Sequence, residues 1–481
     1  MKKIFNILTI GVIAATSFTS CERDLTSLND DPKHPTVLPS QNLMAMGQHQ
    51  SSYYMFTGSV NFNNYRFFVQ QWAETTYTDE TNYNLTTRNQ PRNHFNRMYV
   101  YSLNNYETAK KNLEEEANSP AIKNNKLASL EIAEIFVWEN VVDTFGDVPY
   151  SEAFKGNEQI YAPKYDDAKE IYLSLLSRID AAVALIDESN AGYVDGGDIV
   201  YDGDMTKWKR FANSIKLRLA MNLADEDPAL SKSAAEAAIA SGVISSHDES
   251  YVFNFDGGTF SNPIFNDLVA SGRNDFVPSE LVINTMNSNN DPRRETWFTQ
   301  KKVNDSTFVY VGGVFGELNP FADYSHMSSF FLASDAPANL LSYTEVLFLT
   351  AEAAARGYSV GGTAESFYNA AVAASMAENE VSTEDATTYL EAHPFDAANW
   401  KQSIGQEAWI ALFNRAFAAW NFSRRLDAPT FVNPPDSQLD GVPVRMPYSD
   451  QEYVLNAANV GAAASKIGGD KATTKLFWDK F

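Results

Sequence analysis

The sequence predicts a mostly α-helical domain with irregular loops and a few short strands. Three observations carry this. Apolar residues recur at helical spacing in several long stretches, strand-like stretches are few and short, and no composition shift or long linker divides residues 41–481.

Ahead of that domain, Met1, Lys2 and Lys3 precede a mostly apolar run over 4–18 and the small residues Thr19 and Ser20. Two positive charges, an apolar core too short to span a bilayer and a small-residue site predict a secretory signal peptide over residues 1–20. Cys21 follows and is the only cysteine in 481 residues, so it closes no disulfide within the chain. SFTSCERD at 17–24 resembles a bacterial lipobox, with Phe18 where Leu or another aliphatic residue is usual. Cys21 is therefore expected to be acylated and to begin the mature chain. Acyl chains then hold the protein to the membrane at about 0.8 kcal/mol per buried methylene. Residues 21–40 are polar and carry Pro32, Pro35 and Pro39, which favour an extended tether.

Helices fill the domain. Residues 166–186 begin at Asp166, a candidate cap, and place Ile171, Leu175, Ile179 and Ile186 near one face. WKRFANSIKLRLAMNLAD spaces Trp208, Phe211, Ile215 and Leu219 helically, and TEVLFLTAEAAARG stops at Gly357. A further helix is expected from 407 to 422. Strand signals are YVFNF at 251–255 and STFVYVGGV at 306–314. Helix pairs point to a solenoid-like part, although no clean 34-residue repeat is present.

The net charge is −24, and loss of Lys2 and Lys3 with the leader makes the mature chain two charges more acidic. Such a surface repels phosphate backbones, which excludes nucleic acid as a partner, and it offers no polybasic membrane signal.

No motif builds a catalytic or metal centre. GYSVG at 357–361 matches G-x-S-x-G, but a helix rather than a strand precedes Ser359. His34, His49, His94, His247, His326 and His393 are scattered, and no HExxH or nucleotide-binding loop exists. DGGDIVYDGD at 195–204 offers Asp195, Asp198, Asp202 and Asp204 to calcium, yet lacks the spacing of an EF-hand loop and reads better as a solvated turn. DTFGDVPYSEA at 143–153 reads as a helix end closed by Gly146 with a proline exit, rather than as an Asp143/Asp147 acid–base pair. No cofactor is expected.

Seven stretches in order resemble the SusD/RagB family of Bacteroidetes outer-membrane lipoproteins, in its SusD-like branch. They are NDDPKHPT (29–36), DTFGDVPYSEA (143–153), WKRFANSIKLRLA (208–220), DPRRETWF (291–298), SYTEVLFLTAEAAARG (342–357), WIALFNRAFAAWNFSRRLDAP (409–429) and VRMPYSDQEYVLNAANV (444–460). The resemblance implies a SusD-like fold with tetratricopeptide-type helix pairs. It also implies a non-catalytic, lipid-anchored protein on the cell surface. Such a protein passes an oligosaccharide, or in RagB-like members a peptide, to a SusC-like TonB-dependent transporter that the helical scaffold faces. A secreted carbohydrate esterase or glycosidase is the alternative from another class. No family motif carries the ligand site onto particular residues.

A sugar ring needs an exposed aromatic platform with amide, carboxylate or guanidinium partners. QQWAETTYTDETNYNLTTRN at 70–89 supplies Trp72, Tyr77 and Tyr83 with Asp79, Asn82 and Arg88. GELNPFADYSHMSS at 316–329 adds Phe321 and Tyr324. Trp72 also continues the spacing of Tyr65, Phe68 and Val69, which favours a core residue over a platform. Trp208, Trp297, Trp409 and Trp420 are assigned to packing.

Overall fold

The computed structural model describes residues 37–481; Cys21, the signal segment 1–20 and the tether as far as residue 36 lie outside the described residues. Most long helices start where a short polar side chain accepts a free backbone N–H. After α1 (Ser40–Phe56) and α2 (Asn104–Glu115), Ser119 opens α3 (Pro120–Phe145), whose first-turn proline loses no needed donor. Asp167 accepts from Lys169 N and Glu170 N to open α4 (Ala168–Leu185). The expected cap, Asp166, instead accepts from the N–H groups of Tyr150 and Ser151 and pins the preceding loop. Asp204 opens α5 (Met205–Asn222), Asp227 opens α6 (Pro228–Ser241) and Ser342 opens α7 (Tyr343–Ala355). Thr363 and Ser366 form a reciprocal capping box at α8 (Ala364–Glu378). Then come α9 (Thr383–Ala392), α10 (Trp400–Ala411), α11 (Ala416–Leu426) and α12 (Ala457–Lys466).

Helix α1 packs with α2 across residues 57–103, and the sequence neighbours α3 and α4, α5 and α6, and α7 and α8 pack as hairpins. The pairs then stack, α2 on α3, α3 and α4 on α5, and α5 on α7. Gly47 lets α1 approach α2, since a Cβ there would sit 2.5 Å from the Tyr106 ring. The repeat is hidden in the sequence because unequal loops separate the pairs, with residues 243–342 lying between α6 and α7.

The helix expected over 407–422 breaks at 412–415. Asn414 takes a left-handed φ of +65°, accepts from Arg66 Nε at 2.6 Å, and donates its N–H to Gln71 Oε1 at 3.1 Å. These long-range polar contacts outcompete helix continuation.

Buried charges tie the stacked helices together. Arg218 of α5 lies between Glu139 of α3 at 2.5 Å and Glu345 of α7 at 3.0 Å, all three buried. Burial pushes the Glu139 carboxyl up to about 7 even beside Arg218. Arg425 of α11 reaches Glu352 of α7 at 2.8 Å and Asn222 of α5 at 2.6 Å. Trp208, Trp297, Trp409 and Trp420 are fully buried.

The acidic motifs have local partners. Gly146, at φ +84°, ends α3. Asp143 accepts from Asn421 Nδ2 at 2.9 Å, Trp478 Nε1 at 3.1 Å and the Tyr172 hydroxyl. Asp147 accepts from Ala168 N at 2.8 Å. In the 195–204 turn Asp195, Asp202 and Asp204 are exposed. Asp198 is buried and accepts from Gln48 Nε2 and Trp208 Nε1, both at 2.7 Å, and from three backbone N–H groups. Ser359 lies exposed in the α7–α8 turn, its N–H donating to Glu236. Among the described residues no group of three or more His, Cys, Asp or Glu is placed to hold a metal ion, and no helix is long and apolar enough to cross a membrane.

Among the described residues, strands form three antiparallel two-stranded pairs: β1 (Trp72–Glu74) with β3 (Phe276–Pro278), β2 (Tyr251–Phe253) with β6 (Ala338–Leu341), and β4 (Lys301–Asn304) with β5 (Thr307–Val309). The first pair positions the site.

Candidate functional site

Strand β1 pairs with β3 in the register Trp72 with Pro278 and Glu74 with Phe276. Thr75 N extends the ladder to Asp275 O at 2.9 Å, and its hydroxyl donates to Asn274 O at 2.5 Å. Two loops distant in sequence are thereby laid side by side. Between them opens a cleft of about 270 Å³, lined by Glu74, Tyr77 and Arg88 from the first loop and by Asn266, Arg273 and Asp275 from the second. Asn61, after α1, also lines it.

Tyr77 is the exposed platform, with 54 % of its surface accessible. The Arg88 guanidinium lies 5.5 Å from its ring centroid. Arg88 Nε donates to buried Glu80 at 2.7 Å, and Gln90 Nε2 donates to the same oxygen at 2.8 Å. Arg273 is paired with Asp275 at 2.5 Å. Glu74 accepts from Thr81 N at 3.0 Å and from the Thr81 hydroxyl at 2.8 Å. Burial, reinforced by Glu80 beside it, pushes the Glu74 carboxyl up to about 9, so it is neutral at pH 7. With both arginines paired and Glu74 neutral, the cleft carries little net charge. It suits a neutral, hydroxyl-rich ligand better than a strongly charged one.

The other residues nominated from the sequence fall elsewhere. Trp72 is fully buried, held between Phe276 at 5.2 Å and the Arg66 guanidinium at 4.7 Å. Tyr83 is 1 % exposed; its hydroxyl accepts from Gln70 Nε2 at 2.8 Å and its ring meets Phe315 at 5.8 Å. Neither offers an open ring face. Asn82 is spent on structure, donating to Thr78 O at 2.9 Å and Gly316 O at 2.8 Å. Asp79 folds the loop on itself by accepting from Asn84 Nδ2 at 3.0 Å. The second nominated segment meets the first at its base, where Asn319 Nδ2 donates to Glu74 O at 2.9 Å. Phe321 and Tyr324 do not line the cleft; the Phe321 ring stacks on His326 at 3.7 Å.

A larger cavity of about 520 Å³ lies among Trp297, Phe331 and Phe413. Much of its polar lining is engaged internally: Trp297 Nε1 donates to Asn379 at 2.6 Å, and Arg415 pairs with Glu378.

Residues 32–449 match a family model described as SusD-like, "Starch-binding associating with outer membrane". The chain belongs to the SusD-like family. A chitin-binding protein of known structure is 27 % identical, with a TM-score of 0.82 over 92 % of this chain and 100 % of its own. A SusD homolog from Bacteroides uniformis is 26 % identical, with a TM-score of 0.78 over 91 % and 99 %. A chitin-binding SusD homolog from Flavobacterium johnsoniae shares the fold at 24 % identity, with a TM-score of 0.77 over 92 % and 98 %. No curated protein sequence matches the chain.

The stacked hairpins are thus the tetratricopeptide-type part of a SusD-like fold. Sequence reading of this SusD-like protein missed Asn61, Asn266, Arg273 and Asp275. SGRNDF at 271–276 carried the signal, a glycine and three polar residues just before a short apolar strand.

Proposed function

We propose that this SusD-like protein binds an oligosaccharide at the Tyr77 cleft and passes it to a SusC-like TonB-dependent transporter in the outer membrane. Cys21 carries the lipid that anchors it at the cell surface, and the protein itself catalyses nothing. The observation that carries the binding reading is the exposed Tyr77 ring beside Arg88 in a cleft of low net charge. Family membership supports the transporter and the outer membrane. The 27 % identical chitin-binding relative supports an N-acetylated, uncharged glycan as the first to test.

Calorimetric titration of the full chain in detergent against chitin and starch oligosaccharides tests this. Saturable binding that Tyr77→Ala weakens is the expected result. Silence toward glycans together with saturable binding of a peptide library would replace this reading with a peptide-import one. Turnover of a chromogenic glycoside or ester would overturn the non-catalytic assignment.

A further inference from the structure

The cavity of about 520 Å³ lies apart from the Tyr77 cleft and shares no lining residue with it. Its volume falls within the range of ligand pockets, about 300–1,000 Å³. Aromatic rings form its walls. Trp297 and Phe413 stack at 5.1 Å with 19° between their planes, and Phe331 leans on both at 57°. Phe330 and Pro337 continue the wall on the segment before α7.

Most of the polar lining is committed within the protein. Trp297 Nε1 donates to Asn379 at 2.6 Å, and Asn262 Nδ2 donates to Ala336 O at 2.6 Å. Arg415 donates to Ser342 Oγ at 2.7 Å and pairs with Glu378 through Oε1. Glu378 Oε2 is the exception. His247 Nδ1 stands 3.7 Å from it, beyond hydrogen-bond reach, and 14 % of the Glu378 side chain remains accessible. The Arg415–Glu378 pair cancels charge at the rim, so the cavity favours neither an anion nor a cation. One acceptor is still open.

We propose that this cavity binds a neutral, planar aromatic molecule carrying one N–H donor. Its ring meets Phe331 and the edges of the Trp297–Phe413 stack, and its N–H donates to Glu378 Oε2. A charged acceptor holds a donor roughly twice as strongly as a neutral one, so this single contact fixes the orientation. A polyol fits poorly here, because most of its hydroxyls would leave water for walls that offer them no partner.

The test is fluorine NMR of 5-fluoroindole titrated with the full chain in detergent, with detergent alone as the blank. A saturable change of the fluorine signal beyond the blank is expected. 5-Fluoro-1-methylindole, which lacks the N–H, should bind about tenfold more weakly, the loss of one hydrogen bond to a charged group. Ala377 is exposed on α8 where it lines the cavity, so Ala377→Phe fills the space from outside the core and should abolish binding. Phe331→Ala removes a half-buried wall, should weaken binding about tenfold, and keeps the test decisive if Ala377→Phe distorts α8. Tyr77→Ala should leave the signal unchanged, which separates this site from the first cleft. No change beyond the blank, equal binding of the two indoles, or binding indifferent to both cavity substitutions would overturn the proposal.

Discussion

The Arg88 guanidinium stands 5.5 Å from the centre of the Tyr77 ring while its Nε is held by Glu80 at 2.7 Å. The exposed platform is therefore braced by a side chain that is itself fixed from below. A ligand landing on Tyr77 has little left to order, and preorganisation of this kind raises affinity without further contacts.

Tyr77 and Tyr83 should part company on mutation. Tyr77→Ala should weaken oligosaccharide binding about tenfold or more, with stability unchanged within about 0.5 kcal/mol. Tyr83→Ala should cost about 3 kcal/mol, because the ring is buried and its hydroxyl satisfies Gln70. Calorimetric titration and urea denaturation of both variants check this. Binding lost in Tyr83→Ala at full stability would contradict it.

Arg88→Ala leaves the Glu80 oxygen, now held only by Gln90, in a buried site. A loss of about 1–3 kcal/mol is expected. Arg88→Lys should not restore it, since lysine has no Nε at that place in its stem. Melting curves of the two variants decide the matter.

Glu74 makes stability depend on pH in a defined direction. Its carboxyl sits at about 9 when folded against 4.5 as the reference, so folding takes up a proton between those values. The stabilisation is complete below the lower value and is lost as pH rises through the upper one. Glu74→Gln mimics the neutral acid and should remove that slope, with no advantage near pH 4 and an advantage that grows steadily as pH rises to 8. Denaturation midpoints of both proteins from pH 4 to 9 measure it. A parallel slope in the variant would assign the dependence to other groups.

Arg218→Met strands Glu139 and Glu345 in the scaffold and should cost about 3–5 kcal/mol. Adding Glu139→Gln and Glu345→Gln should recover part of that loss, because neutral amides are cheaper to bury. Chemical denaturation of the single and triple variants provides the comparison.

Much of the scaffold was legible because its signals are local. Asp204 and Ser342 cap helices whose apolar spacing is plain in the sequence. What stayed hidden depends on distant partners. The break at Asn414 is dictated by Arg66 and Gln71, and the burial of Tyr83 by Gln70 and Phe315. Tyr77 stood out as an aromatic among polar residues. Arg273 and Asp275 reach the same cleft only through the pairing of β1 with β3, which no local pattern announces.

The stacking of α5 on α7 has a bearing on how such proteins diversify. Residues 243–342 leave the scaffold after α6 and return at α7, where Ser250 Oγ already accepts from Tyr343 N at 3.0 Å. With both ends pinned, the free energy of closing that excursion grows only slowly with its length, about 0.6 kcal/mol per doubling. One wall of the Tyr77 cleft is carried on this excursion. Evolution can therefore lengthen, shorten or rewrite that wall while the helical scaffold beneath stays the same.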